Sequence, residues 1–406
     1  MRVAVTGIGL VTPIGTGRTE VWRNLLAGRC GIGPVASFDT SRHAVHNGAE
    51  IEAFVPSALA CPSGRRFGRT TQIAITAAEQ ALADAGLDLD VVDPSRFAVA
   101  MGTTSGEPLE IEHFDDLYIE ERLDRVGPEF MALYPCHVIS GHVAEVFRAA
   151  GPNITIPTAC AAGNHALAFG FDALRNGRAD FVLAGGADAF SRITYTGFAR
   201  LGAVAPDTCR PFDRDRQGMV PGEGGAVLVL ESLSGARRRG AAVYAEILSY
   251  GLTCDAHHMT GSHPEGDGAA RAMRQALDLA GIEPGSISYI SAHGTGTATN
   301  DRMETLAAKH IFGDAAYRTP MSSIKSMIGH TMGAASAIEA AVCCLAIDTG
   351  HIPPTIHLEN ADPDCDLDYV PNRAREGEVE IAMNNAYAFG GNNSSVLFGR
   401  CGAPSS

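Results

Sequence analysis

The chain has 406 residues, 45% of them hydrophobic and 19% charged, with 46 glycines and 21 prolines spread along it. This composition fits a globular protein of two or three domains, or of two large halves sharing one core, and excludes a disordered or collagen-like polymer. The 31 Lys and Arg against 46 Asp and Glu give a formal charge of -15, which argues against a nucleic-acid partner held by phosphate neutralisation.

The N-terminus MRVAVTGIGLVTPIG lacks the basic flank and small-residue cleavage site of a signal peptide. No run of about 18 wholly apolar residues stands out, so no membrane partner is expected and the expected location is cytoplasmic. Ten cysteines are scattered without a CxxC pair, the pattern of reduced, mostly buried thiols.

In chain order, RVAVTGIG reads as a strand, followed by helices near 20–27 and in QIAITAAEQALADAG, and by the strand FAVAMGTT. Residues 105–133 differ, because they hold many carboxylates among Leu, Ile, Phe and Tyr. They read either as a solvated amphipathic helix or as an insertion shaping a pocket or subunit contact. Then come NITIPTAC, a helix over 161–176, and the strands FVLAGGADA and GGAVLVLES. The rhythm restarts with YAEILSYGL, a helix over 269–280, ISYISAHGTGT, a helix near Glu304, PMSSIKSM, a helix over 333–348, EIAMNNAYAF and SSVLFGR. This alternation predicts an α/β protein of two successive halves, 1–245 and 246–406.

Cys160 stands where the apolar run NITIPTA meets a small-residue helical pattern, so its sulfur is expected at a helix N-terminus, a position that favours thiolate. Taken alone, such a cysteine is also read as a packed small hydrophobe. His293 in ISYISAHGTGT and His330 in SIKSMIGHTMG both end apolar strand-like runs inside small-residue turns. Ligands collect at the carboxyl ends of strands in open α/β folds, and packing alone does not explain a Cys and two His there. No HExxH or local chelate supports a metal; Cys254, Asp255, His257 and His258 are a weaker metal suggestion. Gly7, Gly9 and Gly15 do not form GxGxxG, and no P-loop occurs, which disfavours nucleotide binding. AFGGNNSS reads either as a tight turn or as a backbone N–H donor loop.

TACAAGNHA, SAHGTGT, SIKSMIGHTMGAASAIEA and AFGGNNSS together resemble the elongating beta-ketoacyl-ACP synthases (ketosynthases) of type II fatty acid or type II polyketide systems, over essentially the whole chain. The resemblance implies the thiolase fold, two pseudo-equivalent halves in a five-layer α-β-α-β-α stack. It implies decarboxylative Claisen condensation of a cysteine-bound acyl chain with malonyl-ACP, giving 3-oxoacyl-ACP. Cys160 would carry the acyl group, with its own N–H and that of Phe389, the gate residue, forming the oxyanion hole. His293 and His330 would hold the malonyl thioester carbonyl, Lys325 and Glu339 would tune the site, and Asp301 and Glu304 would support it. Thr295 and Thr297 would bind the pantetheine. No metal and no cofactor are implied beyond the phosphopantetheine of acyl carrier protein.

The implied partners are acyl carrier protein and a second subunit, in a homodimer or in a heterodimer with a chain length factor. Arg65, Arg66 and Arg69, with Arg210, are the implied carrier docking residues, set against a reading as a solvated helix face. Ile111 and Phe114, with Leu117 and Gly106, are the candidates for the acyl pocket. Ala388 and Asn392 depart from the common family pattern beside the gate, and with the acidic 105–133 segment they incline the reading towards polyketide synthesis over fatty acid elongation. A thiolase is disfavoured by AFGGNNSS in place of a second cysteine motif, and a chain-initiating ketosynthase by the second histidine, His330. A non-catalytic chain length factor is disfavoured by Cys160.

Overall fold

In the computed structural model, which describes residues 1–402, the long strands bury side chains on both faces, and this double burial sets the layering. The first half holds β1 (Val3–Thr12), β2 (Phe97–Gly102), β3 (Asn153–Ile156), β4 (Phe181–Asp188) and β5 (Gly224–Ser232). The second holds β6 (Ala245–Cys254), β7 (Tyr289–Ser291), β8 (Met321–Ser322), β9 (Ile381–Ala388) and β10 (Asn392–Gly399). The helices that matter here are α1 (Arg69–Ala85), α2 (Pro108–Ile119), α3 (Val138–Val146), α4 (Ala162–Arg175), α5 (Asp267–Ala280), α6 (Ala298–Phe312) and α7 (Ala335–Thr349).

The strand order is β3-β2-β4-β5-β1 in the first half and β8-β7-β9-β10-β6 in the second, the same topology repeated. In both, the first three strands of that order run parallel and the last two pair antiparallel. A five-layer stack of two halves implies a separate sheet in each. Instead, β1 and β6 pair antiparallel from Val3↔Ile247 to Val5↔Ala245, joining the halves into one hydrogen-bonded path.

Alternate side chains on each strand enter different cores. Leu228 and Leu230 of β5 pack with α4 and α7, whereas Val227 and Val229 face α1 and α3. In the second half, Val396 and Phe398 of β10 join the central core, and Leu397 faces α5 and α6. The result is five layers, with α4 and α7 in the middle. Met332–Thr349 is long and apolar enough to span a bilayer, yet 89% of it is buried. It is the middle-layer helix.

The two middle helices meet very closely. A Cβ on Gly163 would lie 2.5 Å from the backbone nitrogen of Ala337 and 2.7 Å from its Cβ. Beside this contact, Asn384 Nδ2 donates to Asn164 Oδ1 and to the Ser336 carbonyl, both at 2.8 Å, and the Asn164 N–H donates to Ser336 Oγ. Helix propensity alone makes Gly163→Ala stabilising by about 0.5–1 kcal/mol, but overpacking costs about 1–3 kcal/mol. Gly163→Ala is therefore expected to lower the thermal midpoint. A raised midpoint would mean that α4 and α7 can separate freely.

Candidate active site

Cys160 lies in a single 3-10 turn, Ala159–Ala161, between β3 and α4. Ala159 is held at φ +51°, a left-handed conformation that is costly for a residue with a Cβ. Such strain persists only where packing over-determines it. His293 follows β7 after one residue, and His330 follows the short helical turn Lys325–Ile328. The Cys160 sulfur and one ring nitrogen of each histidine lie within 4.8 Å of one another, and all three side chains are buried. One residue comes from the first half of the chain and two from the second.

The surroundings of each imidazole fix its tautomer. The Met332 N–H donates to His330 Nδ1 at 3.1 Å. Lys325 Nζ lies 3.4 Å from His293 Nδ1 and pairs with Glu339. A lysine ammonium has only donors, so His293 Nδ1 is the acceptor. Both rings therefore carry their proton on Nε2. Burial, reinforced by Lys325, holds both histidines well below the usual range, and they are neutral at neutral pH. The trio could in principle hold a metal ion. However, a metal-bound imidazole normally gives its second nitrogen's proton to a carboxylate or carbonyl, whereas His293 turns that nitrogen to an ammonium.

Two buried carboxylates shape the loop that carries His293. Glu304 accepts the N–H groups of His293 and Gly294, both at 2.8 Å. Asp301 accepts those of Phe212 at 2.8 Å and Gly296 at 3.2 Å. Burial raises the pKa of both. Asp188 is a third such residue, missed in the sequence although it lies in AGGADA. It accepts from Thr103 Oγ1 and from the N–H groups of Thr104, Ser105 and Gly333, tying the loop after β2 to the turn after His330.

The expected thiolate is not what burial produces. Desolvation pushes the Cys160 thiol up to about 12, and the opposing pull of Lys325 and of its own N–H does not overcome it. A helix N-terminus supplies too little to reverse such a shift.

Cys160, His293, Thr295, Thr297, His330 and Phe389 line one cavity of about 270 Å³. The Thr295 and Thr297 hydroxyls lie 2.8 Å apart. Phe389 is 37% exposed, with its ring 5.6 Å from that of Phe198. Phe198, Tyr387, Thr260, Ser262, Thr299 and Asn300 complete much of the wall and were not singled out in the sequence. Tyr387 and Asn300 adjoin quoted motifs, but no sequence signal marks Phe198. Ala388 is extended at φ −128°, so its Cβ costs nothing in this conformation. Asn392 Nδ2 donates to the Phe389 carbonyl at 3.2 Å.

Several of the other expected residues lie away from this cavity. Ile111 and Phe114 do not line this cavity. Phe114 instead stacks on Phe130, 5.0 Å away, because α2 lies on the surface and turns that face towards the segment after it. Gly106, at φ +68°, backs onto Cys136. The basic island is neutralised: Arg65 pairs with Glu145, Arg66 with Glu110, Arg69 with the buried Glu223, and Arg210 with Asp207. Arg210 does not line the cavity, and Arg69 is committed to an interior carboxylate. His258 Nδ1 accepts the N–H groups of Thr260 and Gly261, and Asp255 accepts from Asn393 Nδ2. That group organises a loop; among the described residues it forms no metal cluster.

A thiol raised to about 12 is only ~10⁻⁴ ionised at pH 8. Alkylation of Cys160 by iodoacetamide is therefore expected to keep rising with pH well past the ~8.5 of an unperturbed cysteine, as followed by peptide mass spectrometry. A plateau below pH 8 would contradict the buried-thiol description.

Comparison with known proteins agrees with this site. The sequence matches the beta-ketoacyl synthase N-terminal domain over residues 1–236 and the C-terminal domain over 244–359. It is 40% identical to 3-oxoacyl-[acyl-carrier-protein] synthase 2 of Synechocystis over 98% of this chain and 97% of that protein. It is 43% identical to putative polyketide beta-ketoacyl synthase 1 of Streptomyces halstedii with the same coverage. The solved ishigamide ketosynthase/chain length factor superposes with a TM-score of 0.92 at 43% identity, covering 98% of both chains. With a cysteine and two histidines gathered from two topologically equivalent halves, and with both family domains matched along its length, this chain belongs to the beta-ketoacyl synthase family of acyl-condensing acyltransferases.

Proposed function

We propose that the chain performs decarboxylative Claisen condensation on carrier-bound substrates in type II polyketide synthesis. The observation that carries this reading is a buried thiol beside two neutral imidazoles whose Nδ1 atoms are both engaged, leaving two Nε2–H donors. In the first step, Cys160 Sγ attacks the acyl thioester. The carbon–sulfur bond to pantetheine breaks, and the thiol proton ends on the leaving pantetheine sulfur. The N–H groups of Cys160 and Phe389 would hold the tetrahedral oxyanion, and Thr295 and Thr297 the pantetheine arm. In the second step, His293 and His330 donate to the malonyl thioester oxygen. Carbon dioxide leaves, the enolate carbon attacks the Cys160 thioester, the carbon–sulfur bond to Cys160 breaks, and the released thiolate takes a proton from solvent. Lys325, paired with Glu339, keeps His293 in its donor tautomer, while Glu304 and Asp301 hold the loop.

Solved structures of relatives include a type II polyketide ketosynthase with its acyl carrier protein and ketosynthase complexes with chain length factors. We infer the same partner classes here, in the cytoplasm, with phosphopantetheine as the only prosthetic arm. Tyr118, Ile119, Leu123, Met131 and Tyr134 expose apolar side chains on the 105–133 segment and the residue after it, which supports a subunit contact there. That contact, and not Ile111 or Phe114 alone, would set acyl length. Of the docking arginines, Arg65 and Arg66 keep partly exposed side chains.

Cys160→Ala is expected to abolish condensation, while Cys160→Gln keeps malonyl decarboxylation. His293→Ala and His330→Ala should each lose about 10²-fold or more in condensation yet keep acylation, measured by intact mass spectrometry and product assay. Acylation falling as steeply as condensation would instead make the histidines nucleophile activators. Reversing Arg65 and Arg66 to Glu is expected to raise KM for acyl-ACP while leaving a short pantetheine substrate unaffected; equal losses on both would refute docking.

A further inference from the structure

The acidic helix α2 touches the cavity only through another element. The helix Arg192–Arg200, about 13 Å long at 1.5 Å per residue, spans from α2 to the cavity mouth. At its start, the Ile193 N–H donates to Glu112 Oε1 at 2.8 Å. Arg192 Nη2 donates to Asp116 Oδ1 at 2.9 Å, and the Ser105 and Thr194 hydroxyls lie 3.2 Å apart. Its middle is pinned by Tyr195, fully buried and edge-on to Phe38 and Phe190. At its far end, Phe198 meets Phe389, and the residues that follow, Leu201 and Ala203, extend the cavity wall.

The middle also makes one hydrogen bond, between Thr196 Oγ1 and His43 Nε2 at 3.0 Å, but most of its contact there is apolar and resists rotation and sliding poorly, because dispersion contacts are not directional. Directional hydrogen bonds at one end set the position of the other. The Arg192–Asp116 pair is solvated, with side chains 43% and 52% exposed, and such pairs contribute little. The bond from a helix-terminal N–H to a carboxylate is charge-assisted and stronger. Glu112 itself is held on α2, whose start is anchored where Glu107 accepts the N–H groups of Thr70 and Thr71.

We propose that Glu112 is a positioning residue: by fixing the start of the helix Arg192–Arg200 it sets the Phe198–Phe389 contact, and so the admission of the acyl chain to Cys160. Malonyl decarboxylation needs the histidine pair and no acyl chain, and it is independent of Glu112. This inference rests on the reading of Cys160 as the acylated residue.

The test is a double-mutant cycle between Glu112→Ala and Phe198→Ala, reading kcat/KM for Cys160 acylation by acyl-ACP, the malonyl decarboxylation rate, and thermal midpoint. Glu112→Ala is expected to lower acylation about tenfold and to leave decarboxylation within about twofold. Glu112→Gln, which keeps an acceptor oxygen without the charge, should recover part of the lost acylation, and Glu112→Asp, which keeps charge but loses reach, should not. In the Phe198→Ala background, Glu112→Ala should add nothing further. Equal loss of both reactions, no recovery in Glu112→Gln, or additive effects with Phe198→Ala would overturn the proposal. Acylation of the wild-type protein at a residue other than Cys160 would instead refute the reading beneath it.

Discussion

The closeness of the two middle helices is the constraint on which the site depends. Because Gly163 presents no side chain to Ala337, the N-terminal end of α4 presses against that of α7, and the turn carrying Cys160 comes beside the turns carrying the histidines. The asparagine and serine bonds around Asn164 and Asn384 give this contact a unique register that an apolar interface alone would leave loose. Buried polar groups of this kind are costly unless satisfied, so they permit one arrangement and penalise the others. The repeated strand order makes the juxtaposition possible: two equivalent halves each deliver the ends of their parallel strands to one cavity.

Burial then decides the electrostatics. The same desolvation acts with opposite sign on opposite charge types, raising the thiol of Cys160 and lowering both imidazoles. It therefore holds the three reacting side chains, the thiol and both imidazoles, uncharged at rest. A neutral pair of N–H donors suits an enolate, whose charge appears only during reaction. Charged imidazolium groups would already bind the carboxylate being expelled, which stabilises the ground state and not the transition state.

Much of this was readable in the residues. Apolar runs such as FVLAGGAD and GGAVLVLES became strands because both faces are covered, and Cys160 and His293 lie in turns just past strands, whereas His330 follows a helical turn, Lys325–Ile328, that the apolar run SIKSMI had concealed. What the residues did not show depended on distance in space. The ion pairs made by the arginines of PSGRRFGRT could not be read because Glu110, Glu145 and Glu223 are remote in sequence. That Phe114 faces Phe130 and not the Cys160 cavity could not be read either, because helical spacing does not say which face meets which neighbour. Phe198 went unnoticed because one aromatic in an ordinary amphipathic helix carries no local signal. The thiolate expectation weighed the helix end and had no measure of burial.

The central claim is that acyl transfer to Cys160 and enolate attack on that same thioester are successive steps in one cavity. A pulse and chase tests it most directly: the protein is loaded with acyl-ACP, freed of excess, mapped by peptide mass spectrometry, and then given malonyl-ACP. The expected result is an acyl mass confined to the Cys160 peptide, discharged on the chase as 3-oxoacyl-ACP extended by two carbons. An acyl label on another residue, or one that malonyl-ACP fails to discharge while product still forms, would contradict it.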